Sequence, residues 1–214
     1  MEKEIIPSIL VNTAEEFQEH LAKVESYVDR IHLDITDGIF VPNATIEGYP
    51  QLKELETDIS IGVHLMVSKP ENHVSHWLDT QADKFIFHIE ATSKPEEVIN
   101  ILKENDVMVG VALNPETPAD DIEDIIDQID FVHFMTVEPG FYGSDFVQDV
   151  IEKIQDFNYM YPDIPIEVDG GITPVTAPLL AKVGVSMFVS GSYIFTSSDV
   201  DKAISNLRSS IENV

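Results

Sequence analysis

The sequence predicts a single (β/α)₈ barrel, one catalytic domain spanning residues 1–214. Three observations lead there. Short runs rich in Val, Ile and Phe alternate with longer amphipathic stretches along the whole chain. A length of 214 residues suits one core and the smaller barrels of this kind. The chemically unusual side chains fall at the C-terminal ends of the predicted strands, the end at which such barrels build their sites.

Taken in order, the elements support this reading. The first strand, Glu4–Leu10, leads to Thr13-Ala14-Glu15-Glu16, a capping box that opens a helix over Thr13–Tyr27. Strands follow at Arg30–Asp34 and Ser60–Leu65. Lys84–His88 precedes a helix over Lys94–Glu104, and Val107–Ala112 precedes one over Thr117–Asp127, with Pro118 at its first position. Phe131–Thr136 is followed by Ser144–Phe157, and Ile166–Asp169 by a helix that Thr173-Pro174 opens in the same way. Ser186–Ser190 and the helix Asp199–Ile211 complete the series. Such alternation implies parallel strands joined by crossover helices. Eight units in so short a chain favour closure over an open sheet. No linker, low-complexity segment or exact repeat breaks the pattern.

Composition narrows the function. The chain is 43% apolar and 24% charged, ordinary for a folded protein. It has no cysteine, so disulfides and thiolate chemistry are excluded and any metal must be held by His, Asp or Glu. The 39 acidic residues against 12 basic ones give a net charge of −27, a surface that repels nucleic acid, anionic membranes and, at long range, phosphorylated molecules. No apolar run approaches the roughly 20 residues of a membrane span. Met1-Glu2-Lys3-Glu4 runs into Ile5-Ile6-Pro7 without the pattern of a signal peptide. The expectation is a cytoplasmic protein with neither a nucleic acid nor a membrane as partner.

The residues that carry chemistry follow strand periodicity. His32 and Asp34 stand two apart on the second strand and therefore share a face, here the barrel interior. His64 and Met66 do the same on the third strand, and Asp169 ends the seventh ahead of Gly170-Gly171. Two histidines and two aspartates thus converge on one mouth, a shell of mixed nitrogen and oxygen donors suited to a divalent ion. Taken singly, an inward histidine is as well read as a hydrogen-bonded core residue, and an aspartate before Gly-Gly as a turn residue. Convergence of all four raises the metal reading to about equal standing with the core and turn readings. His88 and His133 also face the barrel and read as core residues or neighbours of the ligands. Gly140–Gln148, Asp169–Thr173 and Ser190–Ser198 contain no Lys or Arg. A phosphate held there needs backbone N–H groups, which Gly143, Gly170, Gly171 and Gly191 let approach closely.

Several motifs then occur in order: Pro7-Ser8-Ile9-Leu10, His32-Leu33-Asp34-Ile35-Thr36-Asp37-Gly38, Phe40-Val41-Pro42-Asn43, His64-Leu65-Met66-Val67, Ala112-Leu113-Asn114-Pro115, Met135-Thr136-Val137-Glu138-Pro139-Gly140-Phe141, Val168-Asp169-Gly170-Gly171-Ile172 and Gly191-Ser192. Over essentially the whole chain this resembles the ribulose-phosphate 3-epimerase family. The resemblance implies an isomerase that interconverts D-ribulose 5-phosphate and D-xylulose 5-phosphate, a step of the pentose phosphate pathway, through a cis-enediolate. It implies one divalent ion per chain, commonly zinc, with iron(II), manganese or cobalt as alternatives, on His32, Asp34, His64 and Asp169. Asp34 and Asp169 would be the acid–base pair, Ser8 a substrate contact, and Met66 and Met135 part of a collar around the reacting carbons. His64 and the loop residues Gly140, Phe141, Tyr142, Gly143, Gly170, Gly171, Gly191 and Ser192 would complete the sugar-phosphate site. Family members form dimers and larger assemblies, which implies a homo-oligomer.

The chain departs from the family pattern in places. Thr36 stands where a third collar methionine is usual, Ile39 replaces a common histidine, Tyr142 interrupts a Gly-Gly pair, and Ser144-Asp145 adds an acid beside the expected phosphate loop. The altered collar and loop keep one alternative in view, a six-carbon ketose-phosphate 3-epimerase such as one acting on allulose 6-phosphate. A different class, a non-catalytic barrel that binds sugar phosphates, is opposed by the presence of all four metal-ligating residues.

Overall fold

The computed structural model describes residues 3–141, 143–212 and 214. The strands are β1 (Glu4–Ile9), β2 (Arg30–Thr36), β3 (Ser60–Met66), β4 (Ala82–His88), β5 (Met108–Leu113), β6 (Phe131–Met135), β7 (Ile166–Asp169) and β8 (Met187–Ser190). Each pairs in parallel with the next, and β1 pairs with β8 to close the barrel. The outer layer comprises α1 (Ala14–Val24), α2 (Tyr49–Lys53), α3 (Pro95–Lys103), α4 (Val150–Met160), α5 (Ala177–Ala181), α6 (Ser192–Phe195) and α7 (Val200–Ile211), with a 3₁₀ segment at Ala119–Gln128 between β5 and β6. No helix among the described residues is long and apolar enough to cross a membrane.

Alternation along each strand separates two interiors. Ile31, Leu33, Val63, Leu65, Phe85, Phe87, Val109, Val111 and Phe134 belong to one apolar cluster with Phe17, Leu21, Leu102 and Leu207 of the helices. The residues between them in sequence point into the barrel. Ile86, Ala112 and Phe131 form a separate small cluster there, with Met187 packed against it. The remaining interior is unusually polar: His32, His64, His88, His133, Glu167 and Lys84 are all buried. Two glycines make room for it. A Cβ at Gly62 would sit 2.6 Å from the His32 ring, and one at Gly110 would sit 2.2 Å from the Phe131 ring.

Helix starts depart from expectation in instructive ways. The Thr13–Glu16 capping box forms with both hydrogen bonds. Residues 117–127 give a 3₁₀ segment, not an α-helix, with extended Pro118 just before it. Its buried Ile122 and Ile125 stand three apart, the period at which a 3₁₀ turn superposes side chains, and no base follows to complement the carbonyl end. Residues 144–149 stay outside α4, because the Val147 N–H donates to Thr136 O at 2.8 Å on the end of β6. Thr173-Pro174 opens a turn whose N–H groups, on Val175 and Thr176, donate to Thr173 Oγ1, and α5 begins only at Ala177.

Candidate active site and metal centre

Strand register sets the site. Asp34 on β2 pairs with His64 on β3, and Met135 on β6 pairs with Asp169 on β7. Asp34, Met66, Met135 and Asp169 are each at most 8% exposed, and His64 beneath them is fully buried. At the C-terminal ends of the strands one cavity collects Ser8, Asp34, Met66, Met135, Gly140, Phe141, Gly143, Asp169, Gly170, Gly171, Gly191 and Ser192. Its empty volume, counted to the open mouth, is about 470 Å³, in the range of small-ligand sites. No Lys or Arg is among its lining residues. Tyr142, also expected here, lies outside the described residues. Gly170 has φ +106° and would bring a Cβ within 2.3 Å of Val137, so only glycine lets the chain turn this tightly after β7.

The donor atoms meet below the cavity floor. His64 Nδ1 lies 3.3 Å from Asp34 Oδ1 and 3.6 Å from Asp169 Oδ2. His133 Nε2 lies 4.0 Å from the same Asp169 oxygen. Donors of His64, His133 and Asp169 all fall within 4.8 Å of one another. His32 is placed differently: its Nε2 faces Glu167 Oε2 at 3.5 Å. Thus the structure brings Asp34, His64 and Asp169 together, adds His133, and sets His32 alongside Glu167.

Burial and charge show what the cluster wants. Burial pushes the His64 imidazole toward its neutral form, but Asp169 and Asp34 outweigh it and hold the pKa at about 9. Burial raises the Asp169 carboxyl above its usual range; His64 opposes this and the Asp34 charge adds to it. The cluster therefore seeks a positive charge between its carboxylates. His64 Nδ1, His133 Nε2 and Asp34 Oδ1 are buried without a hydrogen-bond partner beside Asp169, and both His32 nitrogens are likewise unpaired, with Nε2 turned toward Glu167. Buried orphan atoms of nitrogen and oxygen type in the His64, His133 and Asp169 group fit a divalent cation.

Two buried charged residues beside the site escaped the sequence reading. Lys84, fully buried at the start of β4, pairs with Glu167 and lies 4.1 Å from the Phe131 ring centroid. Glu167 also accepts from His133 Nδ1 at 2.9 Å. Burial would raise the Glu167 pKa, but Lys84, His32 and His133 bring it well below the carboxylate range. The signal was available: Glu167 stands two before Asp169 and so shares its inward face.

Comparison with known proteins identifies the family and the fold. The chain resembles the ribulose-phosphate 3-epimerase of Bacillus subtilis, 39% identical over 215 residues covering 96% of this chain and 98% of the relative. That of Methanocaldococcus jannaschii is 39% identical over 207 residues, with 94% and 88% covered. The cytoplasmic isoform of Oryza sativa is 38% identical over 190 residues, with 86% and 83% covered. Among solved structures, 3-keto-L-gulonate-6-phosphate decarboxylase from Vibrio cholerae superposes with a TM-score of 0.80 at 14% identity, over 99% of this chain and 98% of the other. A 3-hexulose-6-phosphate synthase gives 0.75 at 20%, over 97% and 99%. At such identities these two speak for the barrel alone. The model of the Ribulose-phosphate 3 epimerase family matches residues 4–195, and the chain belongs to that family.

Proposed function

We propose that this protein interconverts D-ribulose 5-phosphate and D-xylulose 5-phosphate by moving a proton at C3. The observation that carries the reading is the placing of Asp34 and Asp169, from β2 and β7, on one cavity with His64 Nδ1 within 3.6 Å of an oxygen of each. Inversion at C3 needs a base on one face of a planar enediolate and an acid on the other. One aspartate takes the proton and the other returns one from the opposite side; the roles exchange in the reverse direction. Met66 and Met135 line the same cavity and limit the access of water to the reacting carbons.

His32, Asp34, His64 and Asp169 are the residues to which the family resemblance assigns the divalent ion, and the orphaned Nε2 of His133 adds a further donor. When bound, the ion polarises the C2 carbonyl and the C3 oxygen as a Lewis acid. The phosphate is assigned to backbone N–H groups of Gly143, Gly170, Gly171, Gly191 and Ser192, since the cavity offers no cationic side chain. The cytoplasm is the proposed compartment, the one named for the Oryza sativa relative.

A coupled assay on ribulose 5-phosphate, with and without a chelator, tests the whole reading. The expected result is turnover that chelator abolishes and zinc, iron(II), manganese or cobalt restores. Turnover of allulose 6-phosphate but not of ribulose 5-phosphate would move the substrate to six carbons. No turnover of either, with the ion bound, would leave a binding barrel.

A further inference from the structure

His64 has a second partner that the proposed reaction does not use. His64 Nε2 lies 2.9 Å from His88 Nε2, and the two rings stack with centroids 5.0 Å apart and planes at 16°. His88 ends β4 and is fully buried. Its other nitrogen, Nδ1, has no hydrogen-bond partner and faces Glu90 Oε2 at 3.4 Å. The Glu90 carboxylate is itself fixed, its Oε1 accepting from Asn114 N at 2.7 Å and from Thr117 Oγ1.

Hydrogen bookkeeping gives this row a direction. An ionised carboxylate only accepts, so the nitrogen facing Glu90 is the one that carries hydrogen. The His88 ring turns Nδ1 to Glu90 Oε2 at 3.4 Å and so places its single imidazole hydrogen there. His88 Nε2 is then a bare acceptor, and the 2.9 Å contact requires His64 to donate from Nε2. A neutral His64 protonated at Nε2 presents a lone pair at Nδ1, toward Asp34 and Asp169. Such a lone pair between two carboxylates is repulsive unless a cation stands among them.

We propose that Glu90 and His88 are positioning residues that fix His64 in its Nε2–H tautomer and so aim the Nδ1 lone pair at the divalent ion. This rests on the reading of His64 as a ligand. Outer partners of a ligating histidine act in this way, holding the ring and raising its basicity, and their loss costs about 10–100-fold in metal affinity.

The test uses the full chain labelled with ¹⁵N-histidine, loaded with Zn(II), in four forms: wild type, His64→Ala, His88→Leu and Glu90→Gln. Zn(II) affinity is read by chelator competition, and the His64 tautomer from two-bond ¹H–¹⁵N spectra. The expected wild-type spectrum shows His64 protonated at Nε2, with that proton deshielded by its bond to His88. His88→Leu should lose the deshielding and about 10–100-fold in affinity; Glu90→Gln should shift both in the same direction by less. Should His88→Leu not fold, Glu90→Gln at the half-exposed end of the row carries the test. Wild-type affinity in His64→Ala would overturn the ligand reading itself. Lost affinity in His64→Ala beside wild-type affinity and tautomer in His88→Leu and Glu90→Gln would overturn the positioning proposal alone.

Discussion

Asp34 and Asp169 are chemically alike yet unequally placed: both lie within 3.6 Å of His64 Nδ1, but one comes from β2 and the other from the far side of the barrel on β7. Replacing either with Asn keeps the shape and removes the group proposed to transfer the proton. Each single variant should lose about 10²–10⁴-fold in kcat with the ion still bound. In deuterated water, one variant is expected to exchange the C3 hydrogen of one epimer without inverting it, and to fail with the other epimer. Near-normal epimerisation by both variants would sink the two-carboxylate scheme. Much of this site was legible in the sequence, because a period of two places Asp34, His64, Met66 and Asp169 inward once the strands are found. His133 was seen as inward but not as part of the donor group. The reason is physical: its membership depends on how strands β3, β6 and β7 meet across the barrel, and no spacing within one strand encodes that.

Loops after strands line the cavity, and in the proposed reaction these elements matter more than single side chains. Gly191 caps the four-residue α6 and lines the cavity with Ser192. Gly191→Leu should raise KM about tenfold or more, about 1.4 kcal/mol, with a smaller effect on kcat. A matching loss in kcat alone, with KM unchanged, would mean that this loop does not bind ground-state substrate. Glu90 ties β4 to the loop after β5. Burial would raise its pKa, but His88, Thr117 and Asn114 lower it to about 2 from 4.5. A depressed carboxylate stabilises the fold above its unfolded pKa, and that stability drains away as pH falls from about 4.5 through about 2. In urea unfolding, the advantage of wild type over Glu90→Gln should be full at pH 6 and much smaller at pH 3; an equal gap at both would contradict the linkage. Strand bounds were read to within about two residues, since apolar alternation marks them. The late start of α4 and the 3₁₀ turn before β6 were not read, because a tertiary bond from Val147 to Thr136 and an acid-rich run without a closing base override local helical periodicity.

At the scale of the whole molecule, the barrel rests on a buried ion pair where an aliphatic plug would also fill space. Removing one member strands the other, so Lys84→Met should destabilise by about 3–5 kcal/mol in urea unfolding. Lys84→Met combined with Glu167→Leu should recover much of that loss, less about 1–3 kcal/mol for the His133 N–H left without an acceptor. Strict additivity of the two single losses would show that the pair is not coupled. The closed barrel itself was predictable from eight strand–helix periods, whereas the charge in its middle was not, because a lone Lys at a strand start reads equally well as a solvent-facing edge. Its position has a kinetic consequence. Lys84, Glu167, Phe131 and Ile86 are all sealed from solvent, so among the described residues the interior of the barrel below the donor cluster is closed. With the proposed site at the opposite mouth, substrate and product would share that doorway and use it in turn. In the proposed reaction each epimer therefore competes with the other for the vacant mouth, so accumulating product slows its own formation, and the direction of net flux is set by the ratio of the two sugars outside.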